Sequence, residues 1–314
     1  MLSRKMALII WQSYIRPMES SNDSVGRATL LIVVSALCFG SISTLTLLTT
    51  RAGVPLLTAM AWRYLLGATL LALAAPISQL RLVPRNRILQ LMLIGGVGQA
   101  LITYLSLRAL DYIPVGPLAF LFYTYPAWVA LIAAIRKTER LTPLRVTALV
   151  LALTGVAIMV GAPTEKLNPI GVTLAIVSAL LYSVYLPALE HVQEDIPALL
   201  STFLLIAGAA ISFILAALFT GELFLPQGAA VWSNIFLLAF VSTIIAFSAL
   251  IKGLSVLGPV RTAIIATVEP FFTAVLGVLI LRNQFSTSTL IGGVLIAAAV
   301  LVIEWSSTRV PATA

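Results

Sequence analysis

Cysteine and histidine are nearly missing from this chain, one of each in 314 residues. Cys38 stands alone in an apolar run, which excludes an intramolecular disulfide and any cysteine-based metal cluster; it reads as a small packing residue. His191 sits in EHVQEDI among acids, without the partners that a zinc site or a Ser-His-acid arrangement needs, and reads as a loop histidine of no special chemistry. HExxH, GxSxG, a Walker-type glycine loop and CxxC are all absent. The expectation is therefore a protein that is not an enzyme and that uses no cofactor and no metal.

Charge is scarce as well. Charged residues make up 10% of the chain and hydrophobic ones 60%, far outside the range of soluble globular domains. Long apolar runs take their place, and they predict an all-α membrane protein. At about 20 residues per span, the chain has room for ten helices and no sizeable soluble domain. The predicted spans are 28–49, 56–78, 88–110, 115–135, 143–161, 169–189, 197–220, 231–252, 259–281 and 287–305, divided by turn-forming or charged residues. Residues 1–27 are polar apart from ALIIW at 7–11, which is too short to span and has no small-residue cleavage site after it. They are expected to form a disordered N-terminal tail, with Met18 as an alternative start, and 306–314 a C-terminal tail.

The two halves echo each other. VSAL occurs at Val34–Leu37 and again at Val177–Leu180, and a nearly constant shift sets Pro126 on Pro270, Arg108 on Lys252 and Ala119 on Ala263. Two five-helix repeats, 28–161 and 169–305, follow, and an odd number of spans per repeat forces them to point in opposite directions. Charge bias is an independent check. With a cytoplasmic N-terminus, 14 Lys and Arg residues fall on the cytoplasmic side and 4 on the other, with Arg63 left inside a span. The net charge of +8 is thereby explained by orientation, and no nucleic-acid partner is read from it. The loop after span six, with Glu190, His191, Glu194 and Asp195, dissents by carrying no basic residue.

The most informative stretch is Arg261–Leu281, broken in its middle by Glu269-Pro270. A carboxylate in hydrocarbon costs a few kcal/mol, roughly 2.5 to 3.5, so it belongs in a protein interior or a wet cavity. Pro270 deprives the Ala266 carbonyl of its helical partner beside the acid. Glu269 then either marks a midplane substrate or ion site in a kinked helix or is a buried structural acid joining two helices. Span four is unusually aromatic. At 3.6 residues per turn, Phe120 and Tyr123 share one face while Phe122, Tyr125 and Trp128 share another, and both faces cannot line one narrow cavity. Tyr182 and Tyr185 in span six, and Gln99 and Tyr104 in span three, add polar groups at depth, and Thr243 and Ser248 in span eight are weaker candidates. Together Glu269, Tyr123, Tyr125, Tyr182, Tyr185, Gln99 and Tyr104 are the candidate substrate-binding residues. Arg63 is expected to form a gating or structural ion pair, with Glu269 as one partner.

The ALDYIPVGPLAFLFYTYPAWVALIAAI stretch at 109–135, its partner GLSVLGPVRTAIIATVEPFFTAVLGVLIL at 253–281, and Glu139 after span four resemble the drug/metabolite transporter superfamily, and within it the ten-helix EamA-type permeases. The resemblance covers about residues 28–305. It implies an inverted-repeat bundle around a central cavity lined mainly by helices one, three, four, six, eight and nine. A second acid is frequent after span nine in that family, where this chain has Asn283-Gln284. The expected function is secondary transport of small metabolites by alternating access, export of amino acids or related compounds, in a cell membrane with both termini cytoplasmic. The expected partners are a small-molecule substrate and the lipid bilayer, with a homo-oligomer left open. The alternative is a membrane-embedded interaction or lipid-handling component without transport of its own.

Overall fold

The computed structural model describes residues 22–139, 141–161, 167–281 and 286–309. Most of the expected N-terminal tail, residues 310–314, and the Asn283-Gln284 departure lie outside the described residues. Every regular element among them is helical, as the apolar composition requires: in hydrocarbon, backbone amides must be satisfied within each segment.

Among the described residues, ten apolar helical segments follow one another. α1 is Asn22–Arg51 and α2 is Leu56–Ala74. α3 is composite, with Arg85–Leu93 and Ala100–Arg108 joined through a π-helical turn, Ile94–Gln99. α4 is split into Val115–Phe122 and Tyr125–Arg136. α5 is Pro143–Val160, α6 Pro169–Val192 and α7 Ala198–Phe219. α8 opens with Ala229–Ala239, passes through a second π turn, Phe240–Ile245, and runs on over 246–257. The chain then reverses at Gly258, whose φ of 72° is open to glycine and strained for other residues. α9 is likewise split, into 259–266 and Glu269–Leu281, and α10 is Thr287–Arg309. α1 begins at Asn22, so residues 22–27 are its first turns rather than part of a tail: Val25 packs on the core and Ala28 is fully buried.

Contacts between ends of helices fix their directions. Gly253 near the end of α8 packs against Ala28 and Ile32 at the start of α1, and Gln193 at the end of α6 donates to the Ile251 carbonyl of α8 at 3.2 Å. α1 therefore leaves the face at which α6 arrives. The start of α1 and the end of α10 lie on that face, since Thr29 donates to Glu304 at 2.6 Å. We call it the terminus face. At the opposite face, Thr58 near the start of α2 donates to the Glu222 carbonyl after α7. The halves are thus inverted five-helix repeats, and same-numbered helices pair across them, α2 on α7 and α5 on α10.

Small residues permit these pairings. A Cβ on Gly155 of α5 would lie 2.7 Å from the Gly292 carbonyl oxygen of α10, and one on Gly96 of α3 would lie 3.1 Å from that of Gly208 in α7. The irregularities also repeat: π turns fall in α3 and α8, and α4 and α9 break two residues before Pro126 and Pro270. At the acidic loop, Arg87 at the start of α3 donates to the His191 carbonyl of α6 at 2.9 Å.

Candidate functional site

The breaks in α4 and α9 meet across a cavity of about 630 Å³. Each proline removes an N–H and repels the preceding turn, so the chain passes the break with short i→i−3 bonds: Thr124 to Leu121 at 3.3 Å, Thr267 to Ile264 and Val268 to Ile265 at 3.2 Å. Span nine is therefore two helices rather than one kinked helix. Glu269 opens its second half and lines the cavity, and Tyr125 holds the equivalent place before Pro126 in the other repeat.

The split of α4 resolves the conflict between its two aromatic faces. Phe122, Tyr123 and Tyr125 all line the cavity because the helix stops after Phe122 and restarts at Tyr125, whereas Phe120 and Trp128 are exposed at the bundle surface. Phe122, Tyr125 and Tyr182 of α6 form a compact aromatic group, with Tyr125 and Tyr182 edge-on at 4.7 Å and Phe122 at 5.5 and 5.6 Å from them. Tyr123 lines the same cavity as Glu269. Gln99 lines the same space; its Nε2 donates to Thr103 Oγ1 at 2.9 Å and its Oε1 is buried without a partner. Of the candidates named from sequence, the cavity brings together Glu269, Tyr123, Tyr125, Tyr182 and Gln99. Tyr185 stacks behind Tyr182 at 5.5 Å, and Tyr104 packs against the core; neither is among the lining residues.

Arg63 departs from the ion-pair expectation. It is 1% exposed, forms no ion pair among the described residues, and does not line the cavity. Its Nε donates to Thr243 Oγ1 at 2.7 Å and its Nη2 to the Ser242 carbonyl at 2.9 Å, both in the π turn of α8. A π turn shifts the backbone ladder and frees carbonyls, and the guanidinium fork answers one of them. Its charge also lies 4.9 Å over the Tyr64 ring. Thr243 passes its own proton to the Leu238 carbonyl at 2.8 Å and belongs to this device, not to the cavity.

The lining of the cavity reaches one face. Arg51 ends α1, Pro114 precedes α4, Val160 ends α5 and Thr289 begins α10, and all four line it at the face opposite the termini. Its lining reaches down to Phe39, Gln99, Tyr125 and Glu269 and includes nothing from the terminus-side halves of α1, α4 or α9. Below that level the helices are laced together: Ser35 donates to the Ala246 carbonyl at 2.8 Å and Tyr125 to that of Ala263 at 3.5 Å. Glu139 pairs with Arg145 at 2.8 Å and accepts from Val260 N–H at 3.3 Å. Arg51 as a mouth residue and Glu139 as a lacing residue were not readable as such from sequence, where one was a loop charge and the other a family mark.

A bundle of two inverted five-helix repeats around a one-sided midplane cavity agrees with the comparisons to known proteins. The sequence pattern of the EamA-like transporter family matches residues 26–161 and again 169–305. The chain belongs to the EamA-like transporter family. A solved structure titled only "Crystal structure of protein" is 21% identical, with a TM-score of 0.72 over 90% of this chain and 98% of that one; the likeness concerns the fold. No curated protein matches the chain. As an EamA-like transporter, the protein is a multi-pass membrane protein for small solutes, and its cavity is the candidate solute site.

Proposed function

We propose that this protein is a gradient-driven exporter of small amine-bearing metabolites, amino acids and related compounds among them, working by alternating access with both termini cytoplasmic. The observation that carries the reading is the cavity with Glu269 at its closed end, open at the face away from the termini. With that face outside the cell, the structure is the state that releases an exported solute. The excess of basic residues on the terminus side supports this orientation in a cell membrane.

Glu269 either takes up a proton or holds the solute's ammonium group, and the aromatic group on α4 and α6 shapes the space around it. One carboxylate that binds either a proton or an ammonium, never both, couples the two fluxes by competition. Closing the mouth and parting the Glu139 lacing would expose the same site to the other face. The sequence carries no nucleotide-binding loop, so the work is assigned to an ion gradient.

Overexpressing cells, screened for resistance to toxic amino acids, amines and their analogues, test the reading. Resistance to particular compounds, with matching efflux of those compounds, is the expected result. Unchanged sensitivity throughout, together with no solute flux through the purified protein in liposomes, contradicts it.

A further inference from the structure

Resting on the transporter reading above, we infer that the cavity selects an organic monocation, an amine on an apolar or aromatic body, over a zwitterionic amino acid.

The charges lining the cavity carry the argument. They are one acid, Glu269, and one base, Arg51. In an amino acid the ammonium and the carboxylate are separated by a single carbon, so a site that pairs both with charged side chains needs its own acid and base close together. Here they are far apart. A Cβ on Gly40 of α1 would lie 3.3 Å from the Glu269 carbonyl oxygen, so Gly40 marks the level of the acid. Arg51 lies further along the same helix by about 16 Å at 1.5 Å per residue, exposed at the mouth. A solute whose ammonium reaches Glu269 leaves a neighbouring carboxylate with no cation beside it. Arg63, the buried cation of the bundle, is outside the cavity and has its fork committed to α8.

The remaining groups at depth also favour a donor. Gln99 is 8% exposed; one N–H of its amide goes to Thr103, and its Oε1 is buried without a partner. The Tyr125 hydroxyl, one candidate donor to a carboxylate, is turned to the Ala263 carbonyl at 3.5 Å. Around them, the rings of Phe122, Tyr125 and Tyr182 offer π faces and edges, and π faces attract cations. A carboxylate and aromatic faces form one electron-rich pocket. Arg51 at the entrance acts on the approach of charged solutes rather than on the bound one.

Three probes sharing one body separate the possibilities: phenethylamine, phenylalanine and 3-phenylpropionate, titrated calorimetrically against the purified full-length protein at neutral pH. Phenethylamine should bind saturably, about tenfold or more tighter than phenylalanine, with no binding of the anion. Glu269→Gln should weaken the amine by about tenfold or more. Tyr182→Leu, which removes one ring of the aromatic group, should weaken it by several-fold and keeps the test valid if the first variant misfolds. Phenylalanine binding as tightly as phenethylamine overturns the inference, and so does amine binding indifferent to both substitutions. Should none of the three bind while the wild-type protein moves amino acids in liposomes, the inference falls and the transporter reading stands; no flux of any solute removes both.

Discussion

Glu139 accepts a hydrogen bond from the backbone N–H of Val260 at 3.3 Å, so an acid from the loop after α4 caps the first half of α9. Val260 follows the reversal at Gly258, and its N–H is among those that a helix start leaves without an internal partner. The second carboxylate oxygen of Glu139 holds Arg145 at 2.8 Å. One side chain thereby ties α4, α5 and α9 at the terminus face, while Thr289, which occupies the place of Arg145 in the second repeat, lines the open mouth.

Glu139→Gln keeps an acceptor for Val260 but loses the ion pair, and should let the terminus face open more often. A charge-assisted hydrogen bond is worth roughly 1.5–3 kcal/mol, so the open population should rise about tenfold or more. The reporter is Ser35→Cys in a Cys38→Ser background, one turn below the cavity residue Phe39. Its labelling by a thiol reagent should speed up accordingly; an unchanged rate removes Glu139 from the closure.

Arg63→Met should destabilise the folded bundle, because the Ser242 carbonyl and Thr243 Oγ1 lose their buried partner, at about 1–3 kcal/mol for each orphaned group. Arg63→Lys should retain only part of the wild-type stability, since one ammonium does not reproduce the two-pronged fork. Thermal unfolding in detergent is the measurement. The pH dependence of transport should persist in whatever folds, as Arg63 is outside the cavity. Full stability of Arg63→Met contradicts the assignment.

Gly155→Val should part α5 from α10, where even a Cβ would lie 2.7 Å from the Gly292 carbonyl. Overpacking of this kind costs about 1–3 kcal/mol. A lowered unfolding temperature is expected, and a neutral outcome would mean that the two helices pack more loosely than described.

Much of this was legible in the sequence, for identifiable reasons. Spans are set by length and hydropathy, and the repeat by Pro126 and Pro270, because a proline's effect on a helix is local and does not depend on tertiary context. Glu269 was marked by its cost in hydrocarbon. What context decides was not legible. The π turns at Ile94–Gln99 and Phe240–Ile245 leave no signature in residue type, so the role of Arg63 was hidden and an ion pair was expected in its place. Helical-wheel reasoning divided the aromatics of α4 correctly for a continuous helix, but the helix is broken at the decisive residues. The distinction between Tyr182 in the cavity and Tyr185 behind it, three residues apart on one helix, also depends on the neighbouring α4.

The most direct test of the central claim, that Glu269 in the one-sided cavity couples solute movement to a gradient, is flux through purified protein in liposomes under an imposed pH gradient. Wild-type protein and Glu269→Gln are compared with a solute identified by the resistance screen. Gradient-driven, pH-dependent flux in the wild type and its loss in the variant is the predicted result. Flux of equal rate and equal pH dependence in both would contradict the account.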